Sequence, residues 1–303
     1  MAAQHVVRPA PEARYVPPAP LAAHSSGFGV WTCVDENTPG AVHTGFRVCR
    51  LDPGGAVGAC VASYEQSLYL LDGEVVLQTT EGAALLRAGD YALVPVGVPH
   101  AWRNESRATA RWAQMIAPQP RDRHGGDITV VPPLAATAAV PVDTRDPRTR
   151  RYGHIAPGNM DVDQQTQDRL AVSASMRTAL LVYSGITVKM MVDSDLGADL
   201  TTMFMVKYDP NGVAGPHDHP FEETYLFLEG LAEGTFDGTS YELGPGDVAF
   251  AGVGCVHSFR NLGTGRLQWL ETQAPQPPPR HSYRFRRDWD YLTTTLGEGE
   301  ETA

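Results

Sequence analysis

Three histidines and one glutamate in the second half of the chain have the residue types and spacing of a metal site. His217 and His219 are two residues apart, Glu223 follows four residues later, and His257 lies on a later segment. Alternate side chains of an extended strand point to one face, so both imidazoles and the Glu223 carboxylate share a side. Three neutral imidazoles and one carboxylate suit a divalent transition metal such as Mn, Fe, Co, Ni, Cu or Zn. We therefore predict one such metal per chain.

The adjacent carboxylate, Glu222, is the rival ligand for this site. Its side chain should point to the opposite face of the strand, so we expect Glu223 to bind the metal. Four protein ligands around an octahedral ion leave two positions free, as a catalytic site requires. The pattern thus predicts an open site rather than a sealed structural one.

The elements that must position these residues are predicted to be β-strands. Short segments rich in Val, Leu, Tyr, Phe and Thr occur over 187–192, 203–208 and 223–228, and their side chains alternate along the chain as in β-strands. The chain also contains 30 glycines and 24 prolines, which separate such segments. This texture is typical of an all-β protein. The best helix candidate is Asp163–Met176.

An internal repeat relates the two halves at a fixed offset of 157 residues. The offset pairs Gly73 with Gly230, Gly89 with Gly246, His100 with His257 and Asn104 with Asn261. Matches at so many turn residues predict two copies of one β unit. In the first copy Cys60, Ala62 and Gln66 stand at the ligand positions and only His100 is kept, so we expect a structural unit there without a metal.

Residues 215–230 and 246–261 together resemble the two motifs of the cupin superfamily. The first motif is an HxH followed by a glutamate and, seven residues later, a glycine; the second is a glycine-led turn that ends in a histidine, with an asparagine four residues on. Gly252 and Gly254 stand where the family commonly has Pro-x-Gly, which touches no ligand. The resemblance implies a bicupin, an all-β chain of two tandem jelly-roll barrels with short helices in the connecting segment.

The sequence divides into five expected parts. They are a Pro-rich arm over 1–23, a first barrel over 24–120 that lacks most ligands, a linker with a short helix over 121–178, the metal-binding barrel over 179–275, and a tail over 276–303.

Strand parity also predicts the walls of a pocket beside the metal. Tyr225 and Phe227 continue the Glu223 face, Phe259 continues the His257 face, and Trp269 with Glu271 lies on a strand that should return past the site. We predict Tyr225, Phe227, Phe259 and Trp269 as substrate contacts, with barrel core packing as the alternative role.

The whole chain resembles bicupins, and the three-histidine, one-glutamate site resembles that of quercetin dioxygenases. This implies an oxygen-dependent dioxygenase in which Glu223 is both a ligand and a catalytic proton acceptor. A non-redox hydrolase, lyase or isomerase is the alternative, since the layout also resembles ureidoglycine aminohydrolase, whose ligand run differs from residues 217–223. A non-enzymatic storage or ligand-sensing cupin is the third possibility.

Composition narrows the partners. The formal charge of −11 and the lack of a basic stripe argue against nucleic acid, and no apolar run or leader pattern predicts a membrane span or secretion, so we expect a cytoplasmic protein. The four cysteines, Cys33, Cys49, Cys60 and Cys255, have no CxxC spacing and are expected to be free thiols. A small-molecule substrate and a homodimer, clasped by the Pro-rich arm, complete the expectations.

Overall fold

The computed structural model describes residues 4–143, 146–161, 183–276 and 284–285, and strands dominate it. The strands are β1 His5–Arg8, β2 Ser25–Val34, β3 Gly45–Ala62, β4 Glu65–Asp72, β5 Glu74–Thr79, β6 Gly82–Arg87, β7 Asp90–Val94, β8 His100–Arg103, β9 Ala110–Ala117, β10 Ile128–Val130, β11 Ala139–Pro141, β12 Tyr152–His154, β13 Tyr183–Val192, β14 Thr202–Asp218, β15 Glu222–Glu229, β16 Ala232–Phe236, β17 Thr239–Leu243, β18 Val248–Ala251, β19 His257–Asn261, β20 Leu267–Ala274 and β21 Arg284–Phe285. The all-β prediction is confirmed.

Short 3-10 helices connect the strands, at Ala10–Glu12, Ala19–His24, Asp122–Asp127, Pro147–Thr149 and Pro157–Met160. The last three lie in the segment between the two repeats, which confirms the prediction of short helices there. The helix predicted at Asp163–Met176 lies outside the described residues.

The described strands form two sheets, one for each half of the chain except that β1 of the first half joins the second sheet. The first sheet runs in the order β11-β6-β5-β8-β3-β9-β4-β7-β12, with β2 and β10 also paired to β3. The second runs β1-β18-β15-β20-β14-β19-β16-β17, with β13 and β21 also paired to β14. The long strands β3 and β14 each pair with several others, so they organise the two curled sheets.

The repeat predicted from the sequence is present in the fold. Strands β4 and β9 of the first half correspond to β15 and β20 of the second at the 157-residue offset. Gly73 and Gly230 lie in the turn before the next strand in each copy, with φ of 74° and 82°. A Cβ at either position would lie 2.5 Å or 2.6 Å from a backbone oxygen, of Thr109 or Arg266. Both copies therefore need glycine at this turn.

The segment that precedes each barrel pairs with the other barrel. β1 lies antiparallel to β18 of the second sheet, in the register His5↔Ala251 to Arg8↔Val248. β12, which precedes the second barrel, pairs in the same way with β7 of the first. The arm thus covers a sheet edge within its own chain.

A shared core joins the two sheets. It includes Phe46 and Met115 of the first half and Phe250 and Leu270 of the second, all buried. Strands β9 and β20 are buried along almost their whole length, and each places apolar residues such as Met115 and Leu270 in this layer.

Two buried carboxylates make reciprocal contacts across this interface. Glu222 accepts hydrogen bonds from the backbone N–H groups of residues 42–44, and Glu65 accepts them from residues 199–201. Position 65 plus the repeat offset is position 222, so the interface is a pseudo-twofold contact. Glu222 therefore lies on the face away from the histidines, as its strand parity indicates.

Candidate metal centre

The four predicted ligands come together inside the second barrel. His217 lies near the end of β14 and is the register partner of His257, the first residue of β19. His219 follows β14 directly, and Glu223 is the second residue of β15. The ring nitrogens of the three histidines lie within 4.8 Å of one another. All four side chains are buried.

The Glu223 carboxylate faces two of these imidazoles. Its Oε2 lies 3.3 Å from His219 Nε2 and 3.2 Å from His257 Nε2. The carboxylate and the imidazoles thus converge on one small volume, which is the arrangement that a transition metal needs.

Backbone carbonyls orient two of the rings for metal binding. His217 Nδ1 donates to Gly215 O at 2.6 Å, and His257 Nδ1 donates to Cys255 O at 3.0 Å, since a carbonyl oxygen can only accept. With the proton held on Nδ1, the Nε2 lone pair points into the cluster. The donor set therefore fits a divalent transition metal.

The charges in the cluster match that fit. Burial, followed by the neighbouring His257 and His219, holds the pKa of His217 well below its usual value, so its imidazole is neutral. Burial alone would raise the pKa of Glu223, but His219, His257 and the Tyr225 hydroxyl together lower it below its usual range. A neutral His217 imidazole beside a charged Glu223 carboxylate matches the protonation states that metal ligation requires.

Two further side chains hold the Glu223 carboxylate. Gln273 Nε2 donates to Oε1 at 2.7 Å from the directly opposite position on β20. The Tyr225 hydroxyl donates to Oε2 at 2.5 Å and lies 2.9 Å from His257 Nε2. Sequence reasoning placed Tyr225 on this face as a substrate contact, and it missed Gln273. The signal for Gln273 was its position two residues beyond Glu271 on the returning strand.

A narrow cavity of about 40 Å³ opens beside the histidines. It is lined by His217, His219, Ile186, Val188, Phe204, Val206, Tyr208, Ala214, Tyr225, Phe259, Trp269 and Glu271. Three of the predicted contacts, Tyr225, Phe259 and Trp269, are therefore in the wall. Phe227 is not, because Trp269 is its register partner and packs over it with ring centroids 5.5 Å apart. Phe227 belongs to the barrel core instead, where it is fully buried.

Glu271 brings a second carboxyl group to the cavity. Its Oε2 accepts a hydrogen bond from Trp269 Nε1 at 2.9 Å. Burial, with the negative charge of Glu223 nearby, raises the pKa of Glu271 well above its usual value. The site thus pairs a charged carboxylate with a carboxyl group whose ionisation is disfavoured, an arrangement that supports acid–base chemistry.

The corresponding position in the first barrel has become a hydrogen-bonded network. His100 Nδ1 keeps its carbonyl partner, Val98 O, at 3.0 Å. Its Nε2 lies 3.2 Å from Gln66 Nε2 and 3.7 Å from Cys60 Sγ, and Gln114 donates in turn to Gln66. Of the described side chains that contact His100 Nε2, only Cys60 is of a type that commonly binds metals. The expectation of a structural first barrel is consistent with this geometry.

Comparison with known proteins agrees with the fold and the motifs. The cupin domain family model matches the chain twice, over residues 47–116 and 204–272. The chain carries two cupin domains in tandem and is a bicupin, as predicted. A search of curated proteins finds no match.

Solved structures with the same fold include oxalate decarboxylase from Bacillus subtilis, with a TM-score of 0.63 at 13% identity over 98% of this chain and 84% of that one. A protein from Pseudomonas aeruginosa described as glyoxylate-induced aligns with a TM-score of 0.61 at 18% identity, over 94% and 92%. The formate complex of oxalate decarboxylase from Lactobacillus farciminis aligns with 0.61 at 16%, over 98% and 95%. At these identities the likeness concerns the fold. In the described part of the chain, no helix has the length and apolar character to cross a bilayer.

Proposed function

We propose that the second barrel binds one divalent transition metal through His217, His219, Glu223 and His257 and uses it to transform a small organic substrate. The observation that carries this proposal is the convergence of three buried imidazoles and one carboxylate beside a cavity. The ion is Fe, Mn, Ni, Cu or Zn, and it would supply Lewis-acid charge and open coordination positions there.

The side chains around the metal position would orient the ligands and accept or donate protons. His217 and His257 hold their positions through the strand pairing of β14 with β19 and through the carbonyls behind them. Glu223 is a ligand and the proposed proton acceptor. The Tyr225 hydroxyl donates its proton to Glu223 and lies beside His257, so it orients the carboxylate and can accept a hydrogen bond from a substrate.

The cavity wall supports an uncharged, largely apolar substrate. Phe204, Phe259 and Trp269 supply aromatic surface, and the described residues that line the cavity include no Lys or Arg. A carboxylate-rich substrate would find no cationic side chain in this wall and could pair its charge only with the bound metal. An apolar aromatic substrate would suit this wall, and the oxygen-dependent dioxygenase that the sequence resemblance implied is our first candidate.

A non-redox reaction is the second candidate, and Glu271 favours it. A carboxyl group with a raised pKa beside a ligand carboxylate is suited to proton transfer in a lyase, hydrolase or isomerase. Two of the structures with a similar fold are named oxalate decarboxylases. A non-enzymatic small-ligand-binding cupin is the third candidate.

Oxygen consumption and anaerobic turnover distinguish the three candidates. The metal-loaded protein would be screened with flavonoids, ureides and small carboxylates in an oxygen electrode and again without oxygen. Oxygen uptake that accompanies turnover supports the dioxygenase, whereas full turnover without oxygen contradicts it and supports the non-redox enzyme. Substrate-induced spectral change of the cobalt protein without turnover supports a binding protein.

Two variants check the roles in that screen. Glu271→Gln should abolish non-redox turnover and leave a dioxygenase that does not use Glu271 largely active. Glu242→Gln, an exposed residue on β17, is the matched control and should behave as the wild type.

We also propose a homodimer and a cytoplasmic protein. The four cysteines are all free and buried, as expected for a reducing compartment. The arm strand β1 pairs with β18 of its own chain, so the proposed dimer uses another surface. Sedimentation of the purified protein measures the assembly, and a mass of one chain refutes the dimer.

A further inference from the structure

A second group of metal-binding residue types lies outside the site described above. His5 on β1, Asp237 in the turn between β16 and β17, and Cys255 in the loop before β19 place one ligand atom each within 4.8 Å of the others. We call these three residues the junction cluster, because they join the N-terminal arm to the second barrel.

His5 has a buried nitrogen with no partner. Its side chain is 9% exposed, and its Nε2 lies 3.0 Å from the Tyr241 hydroxyl. Its Nδ1 is buried without a hydrogen-bond partner among the described residues and lies 3.9 Å from Asp237 Oδ2. Buried polar atoms in native proteins are normally satisfied, so this nitrogen, aimed at a carboxylate and a thiol, calls for a bound group.

Backbone contacts hold Asp237 and Cys255 in place independently of His5. Asp237 has a φ of 47°, its N–H donates to Val256 O at 2.7 Å, and its Oδ1 accepts from Val256 N at 3.0 Å. These bonds leave Oδ2 on the side that faces His5. Cys255 is 1% exposed and its neighbour Val256 carries both contacts to the turn. The carboxylate and the thiol are therefore presented by a preformed loop pair.

The His5 ring is also fixed by its surroundings. It stacks on Phe236 with ring centroids 5.6 Å apart, and the Tyr241 ring meets it edge-on at 5.7 Å. The Tyr241 hydroxyl at Nε2 supplies the outer hydrogen bond that metal-binding histidines usually have, which leaves the Nδ1 lone pair for a metal.

We infer that the junction cluster is a second metal site, of the zinc type, that ties the N-terminal arm to the second barrel. One nitrogen, one oxygen and one sulfur ligand with a solvent molecule in the fourth position are a donor set that Zn²⁺ accepts. Ligand atoms of a tetrahedral zinc lie about 3.4 Å apart. The 3.9 Å between His5 Nδ1 and Asp237 Oδ2 closes to that spacing with a small side-chain shift.

Cobalt substitution tests this inference separately from the histidine site, because the junction cluster contains a thiol and the histidine site does not. Titration of the metal-free chain with Co²⁺ should produce a thiolate-to-cobalt charge-transfer band in the near ultraviolet. We expect the band in the wild type and in His217→Ala, and we expect its loss in Cys255→Ser and His5→Ala. Cys60→Ser, which removes the thiol beside His100, is the matched control and should keep the band.

Hydrogen exchange adds a readout for the arm. In His217→Ala, Zn²⁺ should slow exchange of the β1 amides by about tenfold or more, and the same addition to the His217→Ala, Cys255→Ser double variant should not. His5→Ala lies outside the barrel core, so it keeps the test valid if Cys255→Ser does not fold.

The inference is overturned by a wild-type protein that binds Co²⁺ without the charge-transfer band. It is equally overturned by a band that persists in both Cys255→Ser and His5→Ala, or by one that disappears with Cys60→Ser. A failure of the histidine site appears instead as unchanged metal content in His217→Ala, so the two outcomes are distinguishable.

Discussion

Changing the adjacent Glu222 and Glu223 one at a time should separate an interface carboxylate from a metal ligand. Glu222 is fully buried and accepts hydrogen bonds from three consecutive backbone N–H groups, those of Val42 at 2.6 Å, His43 at 3.0 Å and Thr44 at 2.8 Å. Glu223 instead faces His219 and His257. The two side chains therefore act on different properties of the protein.

The loss of stability expected for Glu222→Ala follows from the three backbone N–H groups that would lose their acceptor. The Thr44 N–H belongs to a buried residue, whereas Val42 and His43 are exposed and their N–H groups can bond to water, so we expect a loss of about 2 to 4 kcal/mol in the free energy of unfolding. Glu65→Ala is the matched control across the pseudo-twofold, and it should destabilise by a similar amount because it strands the N–H groups of residues 199–201. Metal affinity at the histidine site should change by less than roughly threefold in both variants.

Glu223→Gln should show the opposite pattern. We expect the metal-free protein to unfold within about 1 kcal/mol of the wild type, since the amide still contacts Gln273 and Tyr225. Metal affinity should fall by more than roughly 100-fold, because loss of a residue that only hydrogen-bonds to a metal ligand costs up to about 100-fold and Glu223 is itself a ligand. Urea unfolding of the metal-free chain and Co²⁺ titration of the visible bands measure the two quantities. Full metal affinity in Glu223→Gln, or lost affinity with unchanged stability in Glu222→Ala, would refute this assignment.

Three further predictions follow from the same geometry. Gln273→Leu removes the donor to Glu223 Oε1 and should weaken metal binding by roughly 10- to 100-fold, measured by competitive titration with a chelator. Burial lowers the pKa of His100 in the folded chain, whereas the unfolded chain takes up a proton on His100 below about pH 6.5. The free energy of unfolding should therefore decrease as the pH is lowered below that value, by up to about 1.4 kcal/mol per pH unit. His100→Gln should flatten this slope, measured by urea unfolding. Deletion of residues 1–8 uncovers the edge of β18, and its amides at Val248–Ala251 should exchange faster; unchanged exchange would contradict the pairing with β1.

The barrel fold and the ligand cluster could be predicted because their signals are local. His217, His219 and Glu223 lie on neighbouring strand positions, where parity alone decides the face. The 157-residue offset then located the turns of both barrels, since turn glycines such as Gly73 and Gly230 have a positive φ and leave no room for a Cβ.

The contacts that could not be predicted depend on pairing between distant strands. Gln273 reaches Glu223 because β15 and β20 pair in one particular register, and a shift of one residue would turn it away. The same register places Trp269 beside Phe227 and removes Phe227 from the cavity wall. The arm's position on β18 also has no local signal, because it depends on the packing of the two barrels.

Anomalous scattering from crystals grown with the bound metal tests the central assignment most directly. Data collected at the metal's absorption edge should show a peak about 2.0 to 2.2 Å from Nε2 of His217, His219 and His257 and from a carboxylate oxygen of Glu223. A metal-replete protein whose anomalous map has no peak among these four side chains would contradict the proposed centre.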